Sequence, residues 1–231
     1  MKRFQLGSTE LFASEIGLGT SMFGQKLDRT ASFAIMDRYL DCGGNLLDTA
    51  HVYAAPASDE ESASEATIGA WMNARGKRDK VVLITKGGHP ENRAGITGAL
   101  PRLDEASLAQ DLAWSLRSLQ TDYIDLYFIH KDDSAVPVSG ILDFLQAQVA
   151  AGKIRYYGCS NWSVQRMEEA AVYAADHGYD GFVCNQLVGS LGVPDSRFMS
   201  GGVGGNTSLD SEMIAYHEKT KMPVMAAMSL A

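Results

Sequence analysis

Seven short apolar runs recur along the chain and alternate with segments of helical period, and this alternation limits the chain to few architectures. The runs are EIGLGT (15–20), NLLDTA (45–50), VVLITK (81–86), YIDLYFIH (123–130), KIRYYGCSN (153–161), GFVCNQ (181–186) and MPVMAAMS (222–229). Between them, Phe33, Met36 and Leu40 keep i, i+3, i+7 spacing, and Leu108, Leu112, Leu116 and Leu119 keep i, i+4, i+8, i+11. Helix boundaries are marked by the capping box SASE (62–65), by Ser163 before VQRMEEAAVYAA, and by Gly152 and Gly178 at positions suited to left-handed backbone. Strands that are nearly apolar on both faces imply a parallel sheet covered by helices, either doubly wound or closed as a barrel. The opening RFQLGSTELFAS reads differently, as a hairpin turning at GST that plugs the bottom of a barrel. The expectation is a single domain over residues 1–231.

Charge narrows the partners. Twenty Lys and Arg against 28 Asp and Glu give a net charge of −8, and no basic run exceeds two residues. A nucleic-acid or anionic-membrane footprint is thus missing, and a small-molecule substrate is expected. The start MKRFQLG is followed by no apolar h-region, and no window approaches the ~18 consecutive apolar residues of a spanning helix, so a cytoplasmic chain is expected. Cys42, Cys159 and Cys184 are odd in number, lack CxxC spacing and sit in apolar contexts, which predicts buried, reduced thiols. GGHPENRAGITGALPRLDE (87–105) and SGGVGGNTS (200–208) read as loops by composition.

In a parallel α/β array the C-terminal ends of all strands open on one face, where functional loops gather. Polar residues at those ends are Asp48, with Tyr53 five residues beyond, then Lys86, His130, Ser160 with Asn161, and Asn185 with Gln186. An ammonium beside a phenol favours the phenolate, and a carboxylate keeps the ammonium charged, so Asp48, Lys86 and Tyr53 together suit proton donation. His130 adds a donor that orients or polarises a carbonyl oxygen. This is a constellation for reducing C=O by hydride transfer, and the hydride must come from a cofactor because no side chain supplies one. Taken singly, each member has a plainer reading: Asp48 as a loop cap, Lys86 as a solvated lysine, His130 as a structural histidine, Tyr53 as a packed aromatic. Their joint placement favours the chemistry. His51 and His89 read as structural, and Phe23 and Trp162 as either an apolar substrate wall or ordinary packing.

GLGT, DTAHVY, ITKGG, DYIDLYFIHKDD, GKIRYYGCSNW and the NQ of the sixth run, in this order and at these intervals, resemble the aldo-keto reductases. The resemblance runs from about residue 3 to the last residue. It implies a (β/α)8 TIM-type barrel without a Rossmann fingerprint, and the absence of GxGxxG after a strand agrees. It assigns Asp48, Tyr53, Lys86 and His130 to a catalytic tetrad, Ser160, Asn161 and Gln186 to the nicotinamide carboxamide, and Gly19, Thr20 and Asp48 to the neighbourhood of the nicotinamide ribose. The implied cofactor is NADP, with NADPH preferred by resemblance and NAD left open.

Two departures qualify that reading. After MPVMAAMSLA there is no eighth strand and none of the segment that in this family closes over the cofactor's pyrophosphate. The expectation is an incomplete barrel ending at strand seven: part of a longer chain, a truncated product, or a protomer that covers its open edges against another copy. In strand seven Ala227 stands where the family usually has an aromatic that stacks on the nicotinamide. An NADP-dependent carbonyl reductase leads. A nucleotide-sensing or interaction subunit is the alternative. A metal hydrolase using His51, His89, His130, Asp132 and Asp133 comes last, because no HxH or HExxH spacing exists.

Overall fold

The computed structural model describes residues 1–53, 62–90, 102–190 and 206–229. A two-stranded antiparallel hairpin, β1 (Arg3–Gln5) and β2 (Phe12–Ser14), opens the chain. Seven parallel strands follow: β3 (Leu18–Gly19), β4 (Leu46–Asp48), β5 (Val82–Gly87), β6 (Ile124–Ile129), β7 (Ile154–Ser160), β8 (Asn185–Val188) and β9 (Val224–Ala227). They lie in one sheet in sequence order, with β3 and β9 as its edges among the described residues. The helices are α1 (Arg29–Asp41), α2 (Ala63–Arg75), α3 (Glu105–Ser118), α4 (Val138–Ala150), α5 (Val164–His177) and α6 (Ser211–Thr220). None of them is long and apolar enough to cross a membrane.

Local chemistry explains the helix limits. Side chains of Asp28, Ser62, Asp104, Ser163 and Asp210 each accept a backbone N–H from the first turn. Gly76 and Gly178 close α2 and α5 in left-handed backbone. The box at 62–65 works through Ser62, whose hydroxyl takes the Glu65 N–H at 3.2 Å. The Glu65 carboxylate turns into the core instead, where the Thr85 hydroxyl donates to it at 2.5 Å.

The sheet curls, and its two faces bury different clusters. Leu46, Val82, Ile84, Leu126 and Phe128 meet Val183 and Cys184 inside the curl, with Leu6, Leu11 and Ala13 of the hairpin at its floor. Leu47, Leu83, Tyr127, Ile129, Tyr157 and Leu187 face outward against the helices. The hairpin is stitched to the floor by Asn45, whose Oδ1 accepts from the Ser14 N–H at 2.7 Å and whose Nδ2 donates to the Phe12 carbonyl at 2.8 Å. A seven-stranded half-barrel with its plug is therefore present.

Several boundaries differ from the sequence reading. The run at 15–20 contributes only Leu18–Gly19 as strand. The run at 181–186 joins the ladder late: Gly181 at φ +72° turns the chain, and β8 runs from Asn185 to Val188. Asn185 and Gln186 thus begin that strand rather than end it. Cys159 and Cys184 are buried, but Cys42 is exposed, because it is the C-cap of α1 and leaves the helix on its solvent side. Residues 91–101 of the loop read at 87–105, and 200–205 of that read at 200–208, lie outside the described residues.

Candidate active site

Strand alternation builds the site. Successive side chains of a strand point to opposite faces, so the positions that carry Leu46, Ile84, Phe128 and Tyr156 on the inner face return with Asp48, Lys86, His130 and Ser160 at the C-terminal end. Neighbouring registers align them: Asp48 opposite Ile84, Lys86 opposite Phe128, Ser160 opposite Gln186.

Lys86 is the centre of the group. Its ammonium donates to Asp48 Oδ1 at 2.8 Å, to the Thr49 carbonyl at 2.7 Å and to the Tyr53 hydroxyl at 3.3 Å. Burial alone would pull its pKa down, but the Asp48 carboxylate and the Tyr53 oxygen outweigh burial and hold it above the usual lysine value. Tyr53 arrives on a tight loop. Thr49 and His51 donate backbone N–H groups to Ile84 and Lys86, and the Ser62 hydroxyl donates to the Tyr53 carbonyl at 2.8 Å. The Tyr53 ring meets His130 edge to face, with centroids 5.8 Å apart. His130 is held well below the ordinary histidine range by burial first and then by the charges of Lys86, His89 and Lys131. It is a neutral ring, and its Nδ1 is buried without a partner.

The residues expected at a cofactor divide into free and committed groups. Gly19 is exposed, and a Cβ there would meet nothing within 4 Å. Thr20 is fully buried, and its hydroxyl sits 2.9 Å from both the Asp48 carbonyl and Ser64 Oγ, so it braces β3 against β4. Asn161 holds a left-handed φ of +61°. Its Nδ2 donates to the His130 carbonyl at 3.1 Å and to Ser160 Oγ at 2.9 Å, and its Oδ1 accepts the Thr207 N–H at 3.2 Å. Both Asn161 amide protons are thus already used. Gln186 is 4 % exposed, and its side-chain amide has no protein partner among the described residues.

Phe23 and Trp162 correct the substrate-wall reading. Phe23 is 3 % and Trp162 0 % exposed, and both belong to the outer core between sheet and helices. Trp162 packs edge to face on Phe182 at 4.9 Å and lies under the Arg166 guanidinium. Large apolar area that can be buried between layers leaves solvent, and here the layers enclose it. His51 fits its structural reading, stacked on Trp114 at 5.1 Å. His89 Nδ1 donates to the Pro90 carbonyl at 2.8 Å, and its ring lies 4.8 Å from that of His130. Gly88, at φ +72°, folds the chain back to bring it there. Lys131, the residue after His130, is also part of this face and was missed. Its position directly after a strand-end histidine was the available signal.

A cleft of about 790 Å³ opens at the opposite end, lined in part by Asp79, Lys80, Asp125 and Arg155. Its buried Asp125 already accepts from Arg78 at 2.9 Å and Arg155 at 3.2 Å, so the cluster is internally neutralised and offers no reactive group.

Comparison with known proteins gives the family. The sequence model described as Aldo/keto reductase family matches residues 15–231. Norsolorinic acid reductase B of Aspergillus parasiticus is 36% identical over 170 residues, 71% of this chain and 42% of that protein. The NADP(+) aryl-alcohol dehydrogenase of Phanerodontia chrysosporium is 33% identical over 187 residues, 75% of this chain and 47% of that protein. An aldo-keto reductase of Bacillus halodurans, solved in its holo form, superposes with a TM-score of 0.64 at 30% identity and covers 81% of this chain and 57% of its own. The chain spans about half the length of the curated relatives it matches. With its hairpin, its curled parallel sheet and the match over 15–231, the chain belongs to the aldo/keto reductase family.

Proposed function

We propose that the protein reduces aldehydes or ketones to alcohols, with Tyr53 as proton donor and a nicotinamide, NADPH by resemblance, as cofactor. The observation that carries this reading is the Lys86 ammonium, bonded at once to Asp48 and to the Tyr53 hydroxyl beside a neutral His130. Ser160 and Gln186 fit a carboxamide: the Ser160 hydroxyl proton and both ends of the Gln186 amide are free of protein partners among the described residues, and register places the two residues opposite each other. Asn161 fits it less well, since its donors hold His130 and Ser160.

Ser160 and Gln186 would hold a reduced nicotinamide, which when bound would supply the hydride for the carbonyl carbon. Tyr53 gives its hydroxyl proton to the carbonyl oxygen as that hydride arrives, so the C=O bond becomes CH–OH and Tyr53 is left as a phenolate. Lys86, 3.3 Å away, compensates the phenolate charge, and Asp48 keeps Lys86 protonated through the cycle. His130 can donate only one N–H while neutral, which suits it to orient the oxygen rather than to protonate it. NADPH oxidised only when an aldehyde is also present is the expected result with purified protein. Binding of NADPH with no aldehyde-dependent oxidation would instead favour a nucleotide-binding role without turnover.

A further inference from the structure

Lys131 is a half-buried cation without a counterion among the described residues. Its ammonium donates to Asn206 Oδ1 at 2.6 Å, and no carboxylate pairs with it among the described residues. The acids beside it in sequence are engaged elsewhere. Asp132 accepts a fork from Arg166 at 3.0–3.3 Å, and Asp133 accepts the Ala135 N–H at 2.9 Å. A partly buried charge with no opposite charge beside it is costly to maintain, and such groups gather at sites where a ligand completes them.

The ammonium is also held in place. Thr207, next to Asn206, donates its N–H to Asn161 Oδ1 at 3.2 Å, and Asn161 Nδ2 donates to the His130 carbonyl at 3.1 Å. Lys131 follows His130 in the chain, so the bonds close a ring from β6 through the ends of β7 and β8 and back. The Thr207 carbonyl, which accepts the Val188 N–H at 3.0 Å, fixes that segment to β8. Within the ring Thr207 Oγ1 is buried without a partner, a second polar atom that a ligand would satisfy. In a chain of net charge −8 an anion comes to this mouth only through a local cation.

We propose that Lys131 is a specificity-determining residue that binds the carboxylate of an anionic carbonyl substrate, such as an oxo acid or a carboxylate-bearing aldehyde, with its reducible group toward His130 and Tyr53. This rests on the reductase reading above and names its substrate class. The Lys131 pKa, lowered to about 8 by burial, is what an ammonium awaiting an anion would show. A cofactor phosphate shares the chemistry of a carboxylate. The substrate is preferred because Lys131 adjoins His130, at the carbonyl end of the site.

The test uses the full chain and two readouts. The first is kcat/KM with NADPH for 4-carboxybenzaldehyde against benzaldehyde; the second is calorimetric titration with benzoate alone. The expected result is a preference of about tenfold for the anionic aldehyde. It should be kept in Lys131→Arg and brought to near unity in Lys131→Met, with benzoate binding weakened by a similar factor and melting temperatures checked for all three proteins. A ratio that is the same in wild type and Lys131→Met, with benzoate unaffected, overturns the proposal. Loss of NADPH affinity in Lys131→Met with benzoate unaffected overturns it too, and assigns the cation to a cofactor phosphate. If neither aldehyde is consumed yet benzoate binding depends on Lys131, the reductase reading fails while the anion site stands.

Discussion

Lys86 has no solvent exposure, and an ammonium in that position is tolerable only where charge and hydrogen bonds answer it. Asp48, Thr49 and Tyr53 do so. Replacing Lys86 with Met leaves Asp48 facing the interior without its partner. The expected loss is roughly 3 kcal/mol of unfolding free energy, read from the urea midpoint at unchanged slope, together with about a hundredfold or greater loss of turnover. Asp48→Asn keeps an acceptor for Lys86 but takes the countercharge from a fully buried ammonium, so its stability loss should be at least as large as that of Lys86→Met. A clearly smaller loss would mean that hydrogen bonding rather than charge holds Lys86 in place. Asp48, Lys86 and His130 were legible as a group because strand alternation sends strand-end residues of equal parity to one face. His89 was not, since only the left-handed turn at Gly88 brings its ring to His130, and a single glycine in sequence does not reveal the direction of a turn.

Among the elements, β7 shows how the interior is fitted. A Cβ at Gly158 would lie 2.5 Å from the Cys184 carbonyl and 2.6 Å from the Phe128 ring, so the bare backbone there lets β6 and the approach to β8 close on each other. Gly158→Ala should therefore overpack the curl and cost about 1–3 kcal/mol, seen as a lower melting temperature. An unchanged melting temperature would contradict the close approach. Strand existence was legible from β-branched apolar runs, and helix starts from Ser and Asp caps, because both signals are local. The start of β8 was not, because Gly181 turns the chain and 182–184 pass along β7 before the described ladder begins. Phe23 and Trp162 were equally hidden, because whether an aromatic faces a cleft or a layer depends on what packs over it. Here that is the outer core.

Across the whole molecule, two buried histidines and one half-buried histidine link stability to pH. Burial is the first cause in each case, and His89, His130 and His217 all lie below the ordinary value of 6.5. His217 accepts from Asn185 Nδ2 through Nε2 at 3.1 Å and donates through Nδ1 to the Met222 carbonyl at 3.0 Å, which requires the neutral ring. Because the folded values are depressed, the unfolded chain takes up protons first as pH falls. Stability is complete above 6.5 and is lost progressively below it, toward the folded values. Urea unfolding between pH 7.5 and 5.5 should show a slope of up to about 1.4 kcal/mol per pH unit for each histidine, and His217→Gln should flatten it. A flat profile would contradict neutral burial. The parallel array and its hairpin were legible at this scale from the strand and helix order, whereas closure as a barrel rather than a doubly wound sheet followed only from the resemblance to the aldo-keto reductases.

The central claim is that Tyr53 gives the proton and that Lys86 and Asp48 make this possible. Tyr53→Phe tests it most directly, since it removes one oxygen and little else. NADPH affinity, followed by nicotinamide fluorescence, and aldehyde-dependent NADPH oxidation would be measured side by side in wild type and variant. The expected result is affinity within about twofold of wild type, and turnover lowered by roughly a hundredfold to ten-thousandfold, the range that a positioned proton donor contributes. Turnover at the wild-type rate in Tyr53→Phe would contradict the account.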